Sequence, residues 1–421
     1  MEFFIINATQ TGNSDKEGEK LVMGVKGNAV IGQSGGPTCV INQSLVGVIE
    51  QARKSDVIEN LYGARHGVNG IMKEDFIDLF KESQETLEKV AITPSAALGS
   101  VRKKPTADEC QKIFGVFQKY NIRYFFYIGG NDSAETANIV SELAREAKYE
   151  LSVFHIPKTI DNDLRVTDHC PGFGSAAKFV AQAFMGDNFD NRSLKGIKIN
   201  VIMGRHAGFL TAASRIARLD PDDAPHLIYV PERVFSKEQF LNDVQKTMDK
   251  YQRAVIAVSE GIHDDKGNPI CTTGERDSHG NVQLSGSGAL GDYLASLIKT
   301  NLGEKLRVRA DTFGYLQRSF PGCISEVDAS EARQAGREAV KYAGKAEGGS
   351  ISFKRIAGGK NYKIEMELVE LKTMAKETKS LDQAYINTEG NDINGNFLDY
   401  VLPLVGELPQ LGKLQGYPIN K

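Results

Sequence analysis

The stretch "YFFYIGGNDSAETANIV", residues 124–140, runs from five apolar residues through two glycines into polar residues that open a helix-like segment. Tyr124–Ile128 reads as a buried strand, Gly129 and Gly130 as a tight turn, and the chain from Ser133 toward Lys148 as a helix. That order makes a phosphate cradle, because the first amides of a helix lack partners and its dipole favours anions. Asp132 complicates the picture, since a carboxylate in such a cradle repels the expected ligand. A helix N-cap formed by Asp132 or Ser133 is the plainer reading, and a capped helix start still binds anions.

Outward from this stretch the arrangement recurs. "GNAVIGQSGG", residues 27–36, is again a strand running into glycines, followed by a helix from about Thr38 to Arg53. "LSVFHIPKT" (151–159), "GIKINVIMGR" (196–205) and "RAVIAVSEG" (253–261) are further short apolar runs closed by Gly, Pro or a charge. Helical spacing fills the intervals, as in "GFLTAASRIARL" (208–219) and "SKEQFLNDVQKTMDKY" (236–251). Strands alternating with helices predict an α/β fold with parallel sheet covered on both faces. Ligands then bind beyond the carboxyl ends of the strands, so the polar motifs should meet on one rim. From Asp328 the pattern changes to a charged helix (328–343) and a hairpin pair, "GGSISFKRI" and "NYKIEMELV". The Pro- and Gly-spaced stretch 402–414 receives no assignment, and the first two dozen residues read as a loosely attached leader.

At 421 residues the chain can hold two or three cores. Its 51 basic residues are outweighed by 54 acidic ones, which argues against a nucleic-acid partner and makes any anion binding local. Cys39, Cys110, Cys170, Cys271 and Cys323 are odd in number and form no CxxC pair. This argues against a disulfide framework and a zinc site, and points to a reducing, cytoplasmic setting. No run approaches membrane-spanning length, no secretory signal opens the chain, and the Asn7 sequon is read as chance.

Four more segments can carry chemistry. "GQSGGPTCVIN" (32–42) offers Gly35 and Gly36 for close approach to an anion, yet lacks the endings of a Walker A loop or a dinucleotide fingerprint; a structural turn explains it equally. "PKTIDNDL" (157–164) supplies a cation, Lys158, and two carboxylates, Asp161 and Asp163. Phosphoryl transfer needs a general base, a cation for the leaving phosphate and oxygen ligands for Mg²⁺, though an Asx-rich turn has the same composition. "MGRHAGFL" (203–210) offers Arg205 for a phosphate or hydroxyl cluster, while His206 reads as a packed residue. Glu260 and the run 307–319, with Arg307, Arg309, Tyr315 and Arg318, either grip a sugar phosphate or form a solvated face.

GGPTxxxN, GGNDS, PKTIDNDL, MGRHAG, SEG and GYLQRS, in this order, resemble the phosphofructokinase family, and more closely its pyrophosphate-dependent branch. The resemblance spans residues 32–318, about two thirds of the chain. It implies two Rossmann-like three-layer domains with largely parallel sheets. One would comprise 26–172 plus roughly 318–360 and bind the phosphoryl donor; the other, 173–317 plus roughly 361–421, would bind the sugar, with 1–25 as leader. The implied reaction is reversible transfer from pyrophosphate to the 1-hydroxyl of fructose 6-phosphate. The resemblance assigns the general base to Asp161 and places Lys158 beside it. It gives donor contacts to Gly35, Gly36, Arg102, Gly130, Asn131, Asp132 and Ser133, and sugar contacts to Thr159, Ile160, Met203, Gly204, Arg205 and Glu260. Arg309, Tyr315 and Arg318 correspond to grips on the 6-phosphate, Asn131 and Asp163 to Mg²⁺ ligands, and a homodimer or homotetramer is implied because Arg309-like residues cross subunits.

ATP-using relatives carry GGDGS, with glycine where Asp132 stands and a small residue where Lys158 stands. Asp132 is therefore expected to exclude the third phosphate of a nucleotide, and Lys158 to reward the shorter donor. Two departures qualify the likeness. Asn131 replaces an acidic residue, leaving the cation one negative charge fewer. Gly196 replaces a subunit-crossing arginine, for which Lys195 or Lys198 can substitute. An ATP-dependent enzyme and a non-catalytic sugar-phosphate-binding subunit are the competing readings.

Overall fold

Every residue of Ile122–Gly129 except Arg123 is buried in a computed structural model that describes residues 24–271, 288–375, 378–414 and 416. The expected leader and the Asn7 sequon lie outside the described residues, apart from Gly24 and Val25. Tyr124, Phe126 and Ile128 enter one core cluster, while Ile122, Phe125 and Tyr127 enter another on the opposite face. A strand enclosed on both sides has to be continuously apolar, which is why this run lacks alternation.

In chain order the described strands are β1 (Gly27–Gln33), β2 (Ile58–Ala64), β3 (Phe76–Asp78), β4 (Ile122–Gly129), β5 (Ser152–Pro157), β6 (Ile197–Ile202), β7 (Leu227–Tyr229), β8 (Ala254–Ser259), β9 (Val308–Thr312), β10 (Gly348–Ala357) and β11 (Lys363–Val369). They form a seven-stranded sheet ordered β11-β10-β5-β4-β1-β2-β3 and a four-stranded sheet ordered β7-β8-β6-β9. The second sheet is wholly parallel, and in the first only the two edge strands, β3 and β11, run antiparallel to their neighbours.

Helices Ile41–Ala52 and Glu326–Lys341 cover one face of the larger sheet, and Ala107–Lys119 and Asn131–Glu146 the other. The smaller sheet lies between Phe173–Ser193 with Asn396–Val405 on one side and Lys237–Tyr251 with Ala289–Leu302 on the other. The expected α/β fold of two three-layer units with largely parallel sheets is thus observed.

Several local expectations change. The first helix begins at Ile41 and not at about Thr38, because the Thr38 hydroxyl accepts the Val40 amide and holds the chain in a turn. The helix after β4 begins at Asn131, with Gly130 as its N-cap and no side-chain cap, so neither Asp132 nor Ser133 caps it. β11 pairs with β10 from Ser350–Val369 onward, so the unit built on the larger sheet extends beyond residue 360; a hairpin cannot be divided between two sheets. β2, β3, β7 and β9 carried no strand assignment in the sequence, and the stretch left open contains the end of Asn396–Val405. Pro403 within that helix reads as a breaker, yet Phe397, Val401, Leu404 and Val405 are buried and hold it in place.

The long helix Phe173–Ser193 starts at Gly172 without a side chain of its own to cap it. Asp328, from the distant helix Glu326–Lys341, supplies the cap: it accepts from Gly172 N at 2.8 Å, Ser175 N at 2.9 Å and Ser175 Oγ at 2.6 Å. Burial raises the Asp328 pKa against the pull of these donors. Asp328→Ala strands two buried amides and is expected to cost about 2–4 kcal/mol. Urea unfolding checks this; a loss below about 0.5 kcal/mol would show that the cap is dispensable.

Candidate active site

Pairing in the larger sheet brings two glycine loops and the carboxylate loop together. Gln33 of β1 lies opposite Ile128 of β4, and Gly129 lies opposite Pro157 of β5. The register continues past the strand ends, with Ser34 N donating to Ile128 O and Lys158 N to Gly129 O, both at 2.9 Å. Gly129 has to be glycine, since a Cβ there would fall 1.9 Å from Ser133 Oγ. The neutral imidazole of His155, its pKa brought down to about 4 chiefly by burial, spans Gly129 O and Ser350 Oγ and braces this corner.

The smaller sheet faces the same space. Ile202 of β6 lies opposite Ser259 of β8, and Glu260 N donates to Ile202 O at 2.9 Å. Met203 and Glu260 thereby leave adjacent strand ends side by side, and Met203 N donates to Gln317 Oε1 at 3.2 Å. The carboxyl ends of both sheets enclose a cavity of about 330 Å³.

Its lining contains Gly35, Gly36, Arg102, Gly130, Asn131, Asp132, Ser133, Lys158, Thr159, Ile160, Asp161, Asp163, Met203, Arg205, Glu260 and Arg318. Gly204 contributes backbone between Met203 and Arg205, its carbonyl accepting from Ser259 Oγ at 2.6 Å. Arg309 and Tyr315 are not in the cavity. Arg309 stands exposed on the edge strand β9 with Nη1 on the Val308 carbonyl, and Tyr315 is 47% exposed. Lys198 is paired with Asp311, whereas Lys195 stands exposed.

Arg318 lines the cavity from the side of the first glycine loop. Its guanidinium stacks over the Tyr315 ring at 4.4 Å, and a Cβ on Gly36 would stand 2.8 Å from Arg318 Nη1 and 3.4 Å from Arg102 Nη2. The arginine expected on the sugar phosphate therefore lies against the first glycine loop, beside Arg102. Ser34, Lys103, His206 and Thr378 also line the cavity. Ser34 and Lys103 adjoin motif residues; Thr378 carries no sequence signal and arrives through a bridge to Leu164.

Lys158 is 3% exposed and donates to Gly36 O at 2.7 Å. Burial, then repulsion from Arg318 and Arg102, brings its pKa down to about 8. Burial raises Asp161 against the attraction of Lys158, Arg205, Arg318 and Arg102. Burial and then the Asp161 carboxylate push Asp163 up to about 7. Two crowded carboxylates facing four cations form an arrangement suited to proton transfer beside an anionic ligand. The Asn131 Oδ1 is buried without a hydrogen-bond partner. An orphaned amide oxygen in the same cavity as the Asp163 carboxylate matches the oxygen donor set of a hard divalent cation.

Residues 28–343 match the family model described as phosphofructokinase. A pyrophosphate–fructose 6-phosphate 1-phosphotransferase of Rhodospirillum rubrum is 52% identical, covering 94% of this chain and 98% of that one. The enzyme of the same description from Xanthomonas campestris is 36% identical over 93% and 95% of the two chains. The crystal structure of a pyrophosphate-dependent phosphofructokinase from Nitrosospira multiformis superposes with a TM-score of 0.81 at 33% identity, covering 93% of this chain and 95% of that one.

Proposed function

The chain belongs to the phosphofructokinase family, and we infer that it reversibly transfers a phosphoryl group from pyrophosphate to the 1-hydroxyl of fructose 6-phosphate, giving fructose 1,6-bisphosphate and phosphate. The step serves glycolysis in one direction and gluconeogenesis in the other. The observation that carries donor choice is Lys158 lodged against the Gly36 carbonyl in one cavity with Asp132. A volume of about 330 Å³ is at the small end for ligand sites, which favours a donor without ribose and base.

In this reading Asp161 accepts the proton of the sugar 1-hydroxyl as its oxygen attacks phosphorus in line. Lys158, Arg102 and Arg318, with amides of the two glycine loops, take up charge on the equatorial and bridging oxygens. Met203, Arg205 and Glu260, with Thr159 and Ile160, hold the sugar. Asn131 and Asp163 are the residues that would hold Mg²⁺, which when bound neutralises phosphate charge. Arg309 and Tyr315 point out of their own cavity, which supports a homodimer or homotetramer in which they complete a neighbour's site. All five cysteines are free thiols, as suits a cytoplasmic enzyme. No helix among the described residues is long and apolar enough to cross a membrane.

A steady-state assay with both donors tests the proposal. Turnover is expected with Mg-pyrophosphate and fructose 6-phosphate, with kcat/KM for ATP at least a hundredfold lower. Equal or better turnover with ATP would return the chain to the nucleotide-using branch.

A further inference from the structure

Asn162 stands between the two active-site carboxylates with φ at +59° and is wholly buried. Asparagine is among the few residues other than glycine that adopt this left-handed conformation readily, and here its side chain is fixed on both sides. Asn162 Oδ1 accepts from Cys170 N at 2.9 Å, and its Nδ2 donates to the Tyr400 hydroxyl at 2.7 Å. The same hydroxyl donates to the Asp168 carbonyl at 2.8 Å. One phenol from the helix Asn396–Val405 thus joins the middle of the catalytic loop to its returning limb.

The rest of the loop shows why this matters. Its ends are closed by Thr159 N donating to Pro171 O at 3.2 Å. Lys379 supplies the other support: its amide donates to Asp163 O at 2.7 Å, and its Nζ to Thr167 O at 3.0 Å and Asp168 O at 2.8 Å. Between these points the Tyr400 hydroxyl reaches the side chain that separates Asp161 from Asp163. The ring itself is held independently, by Phe173, Phe209 and Phe397 around it and by the Arg355 guanidinium at 4.7 Å.

We propose that Tyr400 is a positioning residue for the reaction: its hydroxyl, set between the Asn162 amide and the Asp168 carbonyl, holds the loop backbone that aims Asp161 and Asp163 into the cavity. It touches no substrate. This inference rests on the catalytic reading of Asp161.

Tyr400→Phe removes the hydroxyl and keeps the packed ring. A displacement of about 1 Å at a reacting group costs up to about a hundredfold, so kcat should fall about 10- to 100-fold, with both KM values within about threefold of the parent. Amide hydrogen exchange across residues 161–168 should quicken in the variant. Asn162→Ala should cost less in the Tyr400→Phe background than in the parent, because the two changes break one bond. A kcat within twofold of the parent, a loss carried by KM, or fully additive costs would each overturn the proposal. An inert parent with pyrophosphate would instead sink the catalytic reading, and unchanged exchange at 161–168 in the variant would then sink the positioning role separately.

Discussion

Asp161→Ala is expected to lower kcat with pyrophosphate by about a thousandfold, in the range seen when a positioned general base is removed. The Asp161 carboxylate shares the cavity with Lys158, Arg102 and Arg318, and its charge offsets theirs. Removing it therefore also leaves Lys158 less favourably protonated, since Asp161 is among the groups that raise the lysine's pKa. The fold should survive, because the loop is anchored by Asn162 and Lys379 and not by the Asp161 side chain. Steady-state kinetics with a thermal melt as control measure the effect. A loss smaller than tenfold would mean that another group takes the proton. A parent chain as inert as the variant would favour the reading as a non-catalytic sugar-phosphate-binding subunit.

Changing Asp132 and Lys158 together to glycine should shift donor preference toward ATP by about two to three decades. Two like charges about 4 Å apart repel by roughly 4 kcal/mol at an effective dielectric near 20, but by only about 1 kcal/mol in water. Asp132 is exposed at the rim of the cavity, which draws its own share toward the lower figure, about fivefold. It also sits in the first turn of Asn131–Glu146, where its charge cancels part of the helix-terminal attraction for a donor phosphate. Lys158 supplies the larger share, because its ammonium is buried and seated on the first glycine loop. Loss of that cation should lower kcat/KM for pyrophosphate while the vacated space admits a longer donor. The ratio of kcat/KM for the two donors reads the outcome, and an unchanged ratio would end the idea of a filter at these positions.

Much of this was legible along the chain, for a local reason. A continuous apolar run closed by glycines codes for a buried strand and a turn wherever it occurs, so β1, β4, β5, β6 and β8 and their loops could be recognised in isolation. Weaker elements could not. β2, "IENLYGA", mixes polar and apolar residues because its burial is uneven along its length. Pro403 masks a helix that exists through four buried side chains. The start of the helix at Asn131 moved two residues upstream because Gly130 can serve as an N-cap without any side chain.

The ordered motifs settle the family, the reaction class and most of the cavity's residues, since each motif carries its own turn chemistry within a few positions. Strand order lies beyond such reading. It depends on which surfaces bury each other across hundreds of residues, and that contest is won by the whole core at once. From it follow the seating of Lys158 between two glycine loops, the arrival of Arg318 beside Gly36 and the outward aim of Arg309. The Tyr400 bond to Asn162, across 238 residues, has the same origin.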